Sequence, residues 1–114
     1  MGAPVEAAIP HRDWISVMTS KKLREARITA SRCSSQDELH TYIANELGFP
    51  DYYGKNLSAL ADCLSEMGVP ALVTFAVRED ELEPGMQAYL MRFVQVCARE
   101  ALVNENLSLI IEHL

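Results

Sequence analysis

The 114-residue sequence predicts an α/β domain, a small three-stranded parallel sheet packed by three to four helices. Three observations carry that prediction. Apolar and polar residues alternate from Glu25 to Ser31, the period of a strand with one polar side. Ala71 to Ala76 is almost uninterruptedly apolar, as in a strand covered on both faces. Helix-period stripes separate the three strand candidates, and the order strand, helix, helix, strand, helix, strand needs the crossover connections that parallel neighbours require.

Residues 1–20 stand apart from this order as an N-terminal extension, and 21–114 form the domain. Gly2, Pro4 and Pro10 make the opening irregular. Trp14, Ile15, Val17 and Met18 are too apolar for a wholly solvated tail and are expected to cover part of the domain or a neighbouring molecule. In the first strand Ala26, Ile28 and Ala30 share one side, with Arg27, Thr29 and Ser31 on the other.

The first helix starts at the capping-box pair Ser35 and Glu38. Leu39, Tyr42, Ile43 and Leu47 trace its buried stripe, and Gly48 and Pro50 end it. His40, on the same helix as Asp37 and Glu38, reads as a surface or capping residue. The second helix runs from the N-cap Asn56 to about Glu66, with Leu57, Leu60, Ala61 and Leu64 on its inner face. After the central strand and a charged connection from Arg78 to Glu83, Pro84 suits the first turn of the longest helix, which runs to about Leu102. Met86, Tyr89, Leu90, Phe93, Val94, Cys97 and Ala101 form its inner side, Asn104 to Asn106 make a turn, and Leu107 to Ile111 is the last strand.

Composition is that of a soluble globular protein, with 49% hydrophobic and 23% charged residues. No apolar run approaches the roughly 18 residues of a membrane span, and no secretory pattern opens the chain, so a cytoplasmic location is expected. Cys33, Cys63 and Cys97 are widely spaced without a CxxC pair, which fits a reducing compartment and suggests neither a disulfide framework nor a zinc site. The scattered His11, His40 and His113 add no ligand set, so no metal and no cofactor are expected. No phosphate loop, nucleophile elbow or HExxH occurs, so the chain does not read as an enzyme.

The net charge of −6 is unevenly distributed. From Lys21 to Arg32 there are five basic residues and one acid, whereas from Cys33 onward four basic residues face thirteen acidic ones. Such a body repels nucleic acid and attracts a basic partner protein.

The most specific segment is Pro-Asp-Tyr-Tyr-Gly-Lys-Asn-Leu-Ser-Ala-Leu-Ala-Asp-Cys-Leu from Pro50 to Leu64. Gly54 is expected to turn the backbone behind two tyrosines. With the leucines buried, Asp62 looks outward, in one polar stripe with Ser58, Ser65 and Glu66. This is the pattern of a binding edge.

The segment resembles the barstar family of small intracellular bacterial ribonuclease inhibitors. Ser-Ser-Gln-Asp-Glu-Leu-His from Ser34, the Tyr-Tyr-Gly-x-Asn-Leu core, Ala-Leu-x-Asp-Cys-Leu, the Val-Pro-Ala-Leu-Val strand and the ending at Ile110 and Ile111 follow the family's order over roughly residues 25–112. The resemblance implies a stoichiometric inhibitor of a basic ribonuclease or ribonuclease toxin, an antitoxin or immunity protein. Asp62 would take the place of a substrate phosphate, and Tyr52 and Gly54 would belong to the inserted turn. Four positions depart from the family: Lys55 and Ser58 stand where acids are expected, Ala61 stands for a contacting tryptophan, and Arg99 for a third interface acid. These four complete the expected partner-binding set of Tyr52, Gly54, Lys55, Ser58, Ala61, Asp62, Ser65, Glu66 and Arg99. The same departures leave open an alternative, an interaction module of this fold with a non-nuclease partner. The sequence sets no oligomeric state.

Overall fold

The computed structural model describes residues 23–113. The expectation that Trp14, Ile15, Val17 and Met18 cover the domain or a neighbour falls outside them. Three strands, β1 (Arg24–Thr29), β2 (Ala71–Ala76) and β3 (Leu107–Ile111), form one parallel sheet in the order β1-β2-β3. Three α-helices, α1 (Gln36–Leu47), α2 (Leu57–Ser65) and α3 (Pro84–Val103), supply the crossovers. Short 3₁₀ turns lie at Ala30–Arg32 and Glu79–Glu81. The expected three-stranded parallel sheet with its helices is the architecture observed.

The central position of β2 follows from its composition, since all its residues but Leu72 are buried. Its Val73 and Phe75 meet Ala26 and Ile28 of β1, Leu107 of β3, and Leu39, Ile43, Leu47, Leu60, Leu64, Phe93 and Cys97 from the helices in one core. Of the stripe on α3, Tyr89, Phe93 and Cys97 are buried, and Val96, absent from the sequence reading, joins them.

Strand β1 is shorter than its alternation suggested. Its pairing with β2 stops where Thr29 faces Ala76. Ala30, expected on the strand's apolar side, instead opens the 3₁₀ turn, and its carbonyl accepts from the Cys33 amide at 3.0 Å. Beyond the last partner residue the ladder has nothing left to bond, so local turn chemistry prevails.

Helix α1 is bounded as predicted. The Ser35 side chain accepts from the Glu38 amide, and Gly48 ends the helix at φ 72°. A side chain at Gly48 would also strike the guanidinium of Arg24. The reciprocal half of the capping box is replaced, because the Glu38 carboxylate accepts from the Ser34 hydroxyl.

Helix α2 opens at Asn56, whose Oδ1 accepts from the Ala59 amide at 2.8 Å. Asn56→Ala leaves that amide without a partner, and a loss of about 1 kcal/mol is expected in chemical denaturation; unchanged stability would show that the cap contributes nothing. The far end of α2 is tied down from a distance. Asn104 Nδ2 donates to the Leu64 carbonyl at 2.8 Å and the Met67 carbonyl at 3.2 Å, adding a long-range tie to the end of the helix, where the Leu64 carbonyl also accepts from the Met67 amide at 3.3 Å.

Candidate partner-binding face

Phe49 to Asn56 and the outer side of α2 form one edge of the molecule. The Tyr53 amide donates to the Pro50 carbonyl at 3.0 Å and closes the turn. The two tyrosines then part. Tyr52 projects into solvent, 86% exposed, whereas Tyr53 is buried with its ring edge against Phe49 at 4.9 Å between centroids.

The backbone device here differs from the one expected. Gly54 lacks a positive φ; the left-handed residue is Lys55, at φ 52°. That conformation costs a non-glycine residue of order 1 kcal/mol, and it is retained where the surroundings fix it. The fixings are the Asn56 cap that follows and an ion pair from Lys55 Nζ to Asp37 on α1 at 3.5 Å. At Gly54 space is tight but not closed: a Cβ there would lie 3.2 Å from Asn56 Nδ2 and 3.5 Å from Ala59 Cβ.

Between turn and helix lies a cleft of about 260 Å³ lined by Pro50, Tyr52, Tyr53, Gly54, Ala59, Asp62, Cys63 and Glu66. It unites four of the expected binding residues, Tyr52, Gly54, Asp62 and Glu66. Asp62 and Glu66, one helical turn apart, are both exposed, and among the described residues neither has an ion-pair partner. Like charges at this spacing repel, so a cation placed between them would be attracted by both. Cys63 is half-buried in the cleft; burial, and then the two carboxylates, hold its thiol above its ordinary range. At neutral pH it is the protonated thiol, which adds soft apolar surface.

The other expected residues take different places. Ser58 is exposed in the first turn of α2, and Arg99 is exposed on α3. Ser65 turns its hydroxyl onto the Asp62 carbonyl at 2.8 Å, closing the end of the helix. Ala61 is half-buried against the core, so its methyl faces the domain as much as solvent. Lys55 is held by Asp37 at the rim.

The residue that sequence reasoning misplaced is His40. It is fully buried, not on the surface. Its Nδ1 lies 2.6 Å from the Tyr53 hydroxyl and its Nε2 2.6 Å from the Tyr89 hydroxyl, with the Phe93 ring packed beside it at 5.3 Å. Both ring nitrogens are satisfied, which is the condition for burying an imidazole. The spacing of His40, Ile43 and Leu47 at i, i+3 and i+7 was the available signal. Desolvation pushes the imidazole down to about 4, with Asp37 opposing and Lys55 assisting that shift.

A small α/β protein with an acidic, aromatic-rimmed edge has the makings of a protein-binding module, and nothing in the cleft resembles a catalytic constellation. Among the described residues no cluster of three or more His, Cys, Asp or Glu could hold a metal ion, and no helix is long and apolar enough to cross a membrane. Residues 23–107 match the model of the family described as "Barstar (barnase inhibitor)". The chain belongs to the barstar family. It is also 59% identical over 27 residues to the protein named "Putative ribonuclease inhibitor YrdF" from Bacillus subtilis (strain 168). That match spans 24% of this chain and only 30% of the relative.

Proposed function

We propose that this protein is a stoichiometric, non-covalent inhibitor of a bacterial ribonuclease, acting as a cytoplasmic antitoxin or immunity protein. The Tyr52 turn and helix α2 occlude the target's active site. The observation that carries this reading is the outward carboxylate of Asp62, unpaired among the described residues, in a cleft beside an exposed tyrosine. A ribonuclease holds its substrate phosphate with Arg, Lys and His side chains, and a carboxylate can occupy that place through charge-assisted hydrogen bonds. Tyr52 supplies stiff, largely apolar surface that excludes water from the ion pair. The acidic body steers a basic target toward the face, an effect that salt weakens. Barnase with barstar is a standard example of such steering, and membership of the family supports the same logic here.

The rim sets specificity. Lys55 and Arg99 place positive charge where an acidic edge would attract barnase, and Ser58 and Ala61 offer small side chains. Mismatched charge discriminates as firmly as matched charge attracts. The target is therefore a ribonuclease whose own rim differs from that of barnase, in the first instance a toxin encoded beside this gene.

The test is RNA cleavage by barnase, and by the product of the adjacent reading frame, titrated with the purified protein. Inhibition reaching completion at one equivalent supports the proposal. No inhibition of either enzyme favours the other reading, an interaction module with a non-nuclease partner, for which the positive charges of Lys55 and Arg99 are the specific argument.

A further inference from the structure

The hydrogen-bonded chain behind the cleft joins three elements. Tyr89 stands on α3, His40 on α1, and Tyr53 in the turn, and each tyrosine hydroxyl lies 2.6 Å from one imidazole nitrogen. A neutral imidazole has one N–H donor and one bare nitrogen. One tyrosine must therefore donate to His40 while the other accepts from it, so the three groups form a directed relay from the core to the turn. Tyr53 adjoins Tyr52 in the chain, and its amide closes the turn on Pro50.

We infer that His40 is a positioning residue for the binding face, holding the Pro50–Gly54 turn through Tyr53 so that Tyr52 stands beside Asp62. The inference rests on the proposed inhibitor function and adds to it the contact that fixes the turn. In either tautomer both contacts are kept, because a tyrosine hydroxyl can donate to the bare nitrogen or accept from the N–H. Tyr53 faces the ring from the turn and Tyr89 from α3. Asp37, on α1 itself, favours the charged ring, and Lys55 in the turn disfavours it. Cys63 on α2 and Cys97 on α3 lie near Tyr53. Asp37 is already paired with Lys55, so its support for an imidazolium is partly cancelled.

The test compares the parent, Tyr53→Phe and His40→Gln. Tyr53→Phe keeps the ring and removes the bond to His40. Amide exchange at position 53 is expected to rise about tenfold, while exchange at Leu60 in the core of α2 stays within about twofold. Faster exchange at both positions would mark a general loss of stability and overturn the inference, as would no change at either. His40→Gln keeps one donor and one acceptor without a titrating group. It is expected to raise exchange at position 53 less than Tyr53→Phe does, because its amide can still meet one of the two hydroxyls. Equal rises at position 53 and at Leu60 in His40→Gln would also overturn it. Should the parent bind neither barnase nor the adjacent gene's product, the inhibitor reading fails, and the exchange rates at position 53 still decide the role of His40.

Discussion

Replacing Asp62 by alanine is expected to weaken capture of the target ribonuclease at least tenfold, about 1.4 kcal/mol or more, with no loss of folding. Asp62 is exposed on the middle of α2, its side chain contributes no hydrogen bond or ion pair within the described residues, and alanine is the better helix former. Substitution at such a surface position changes stability by no more than about 0.5 kcal/mol. In the proposed complex the same carboxylate would pass from water into a cationic pocket. Its removal would leave the target's cationic groups buried without their counter-charge, a penalty expected to fall on the dissociation rate. Asp62→Asn is expected to fall nearly as far, since it keeps the shape and loses the charge. Glu66→Gln, one turn away and closer to the end of the helix, is expected to lose less. Calorimetric titration of the four proteins against one ribonuclease orders them, and equal affinity for the parent and Asp62→Ala would remove Asp62 from its proposed role.

The parts of the molecule that the sequence revealed are those written in local patterns. Ser35 and Gly48 bound α1 because a cap and a left-handed stop each act within one turn of the helix. The stripe of Leu57, Leu60, Ala61 and Leu64 turned Asp62 outward, and the near-continuous apolar run of β2 announced a central strand. The end of β1 was hidden, because alternation continued past the last residue of β2 able to pair with it.

The candidate face divides along the same line. Its helical half was legible from the four-residue spacing of Asp62 and Glu66. Its turn was not, because the unusual backbone falls on Lys55, whose left-handed conformation is set by the cap of the next helix and by Asp37 eighteen positions earlier. His40 was hidden for a related reason. A histidine among acids on a helix has the look of a surface residue until two hydroxyls, from 13 and 49 residues away in the chain, are placed against its nitrogens. Asn104 reads as turn chemistry, yet it anchors the end of α2 across 40 residues. Long-range polar pairing leaves no periodic trace in a sequence.

That buried imidazole makes stability depend on pH in a window of its own. Folding lowers His40 from the ordinary 6.5 to about 4, so the unfolded chain binds a proton that the folded chain refuses. Between those two values the unfolded state carries more protons, and stability must rise with pH. The contribution is fully present above pH 6.5 and is lost as the pH falls toward 4, amounting to about 3 kcal/mol at most. Glu112 acts lower on the scale: its hydrogen bond and charge pairing with Arg27 hold its carboxyl below 4.5, so that pair weakens in stronger acid. The limb from pH 4.5 to 6.5 therefore belongs to His40. Urea unfolding followed by circular dichroism at half-unit steps is expected to show the parent losing stability across that limb, and His40→Gln nearly flat over it, whatever its starting value. If the parent is as flat as the variant, His40 is not held neutral by the fold.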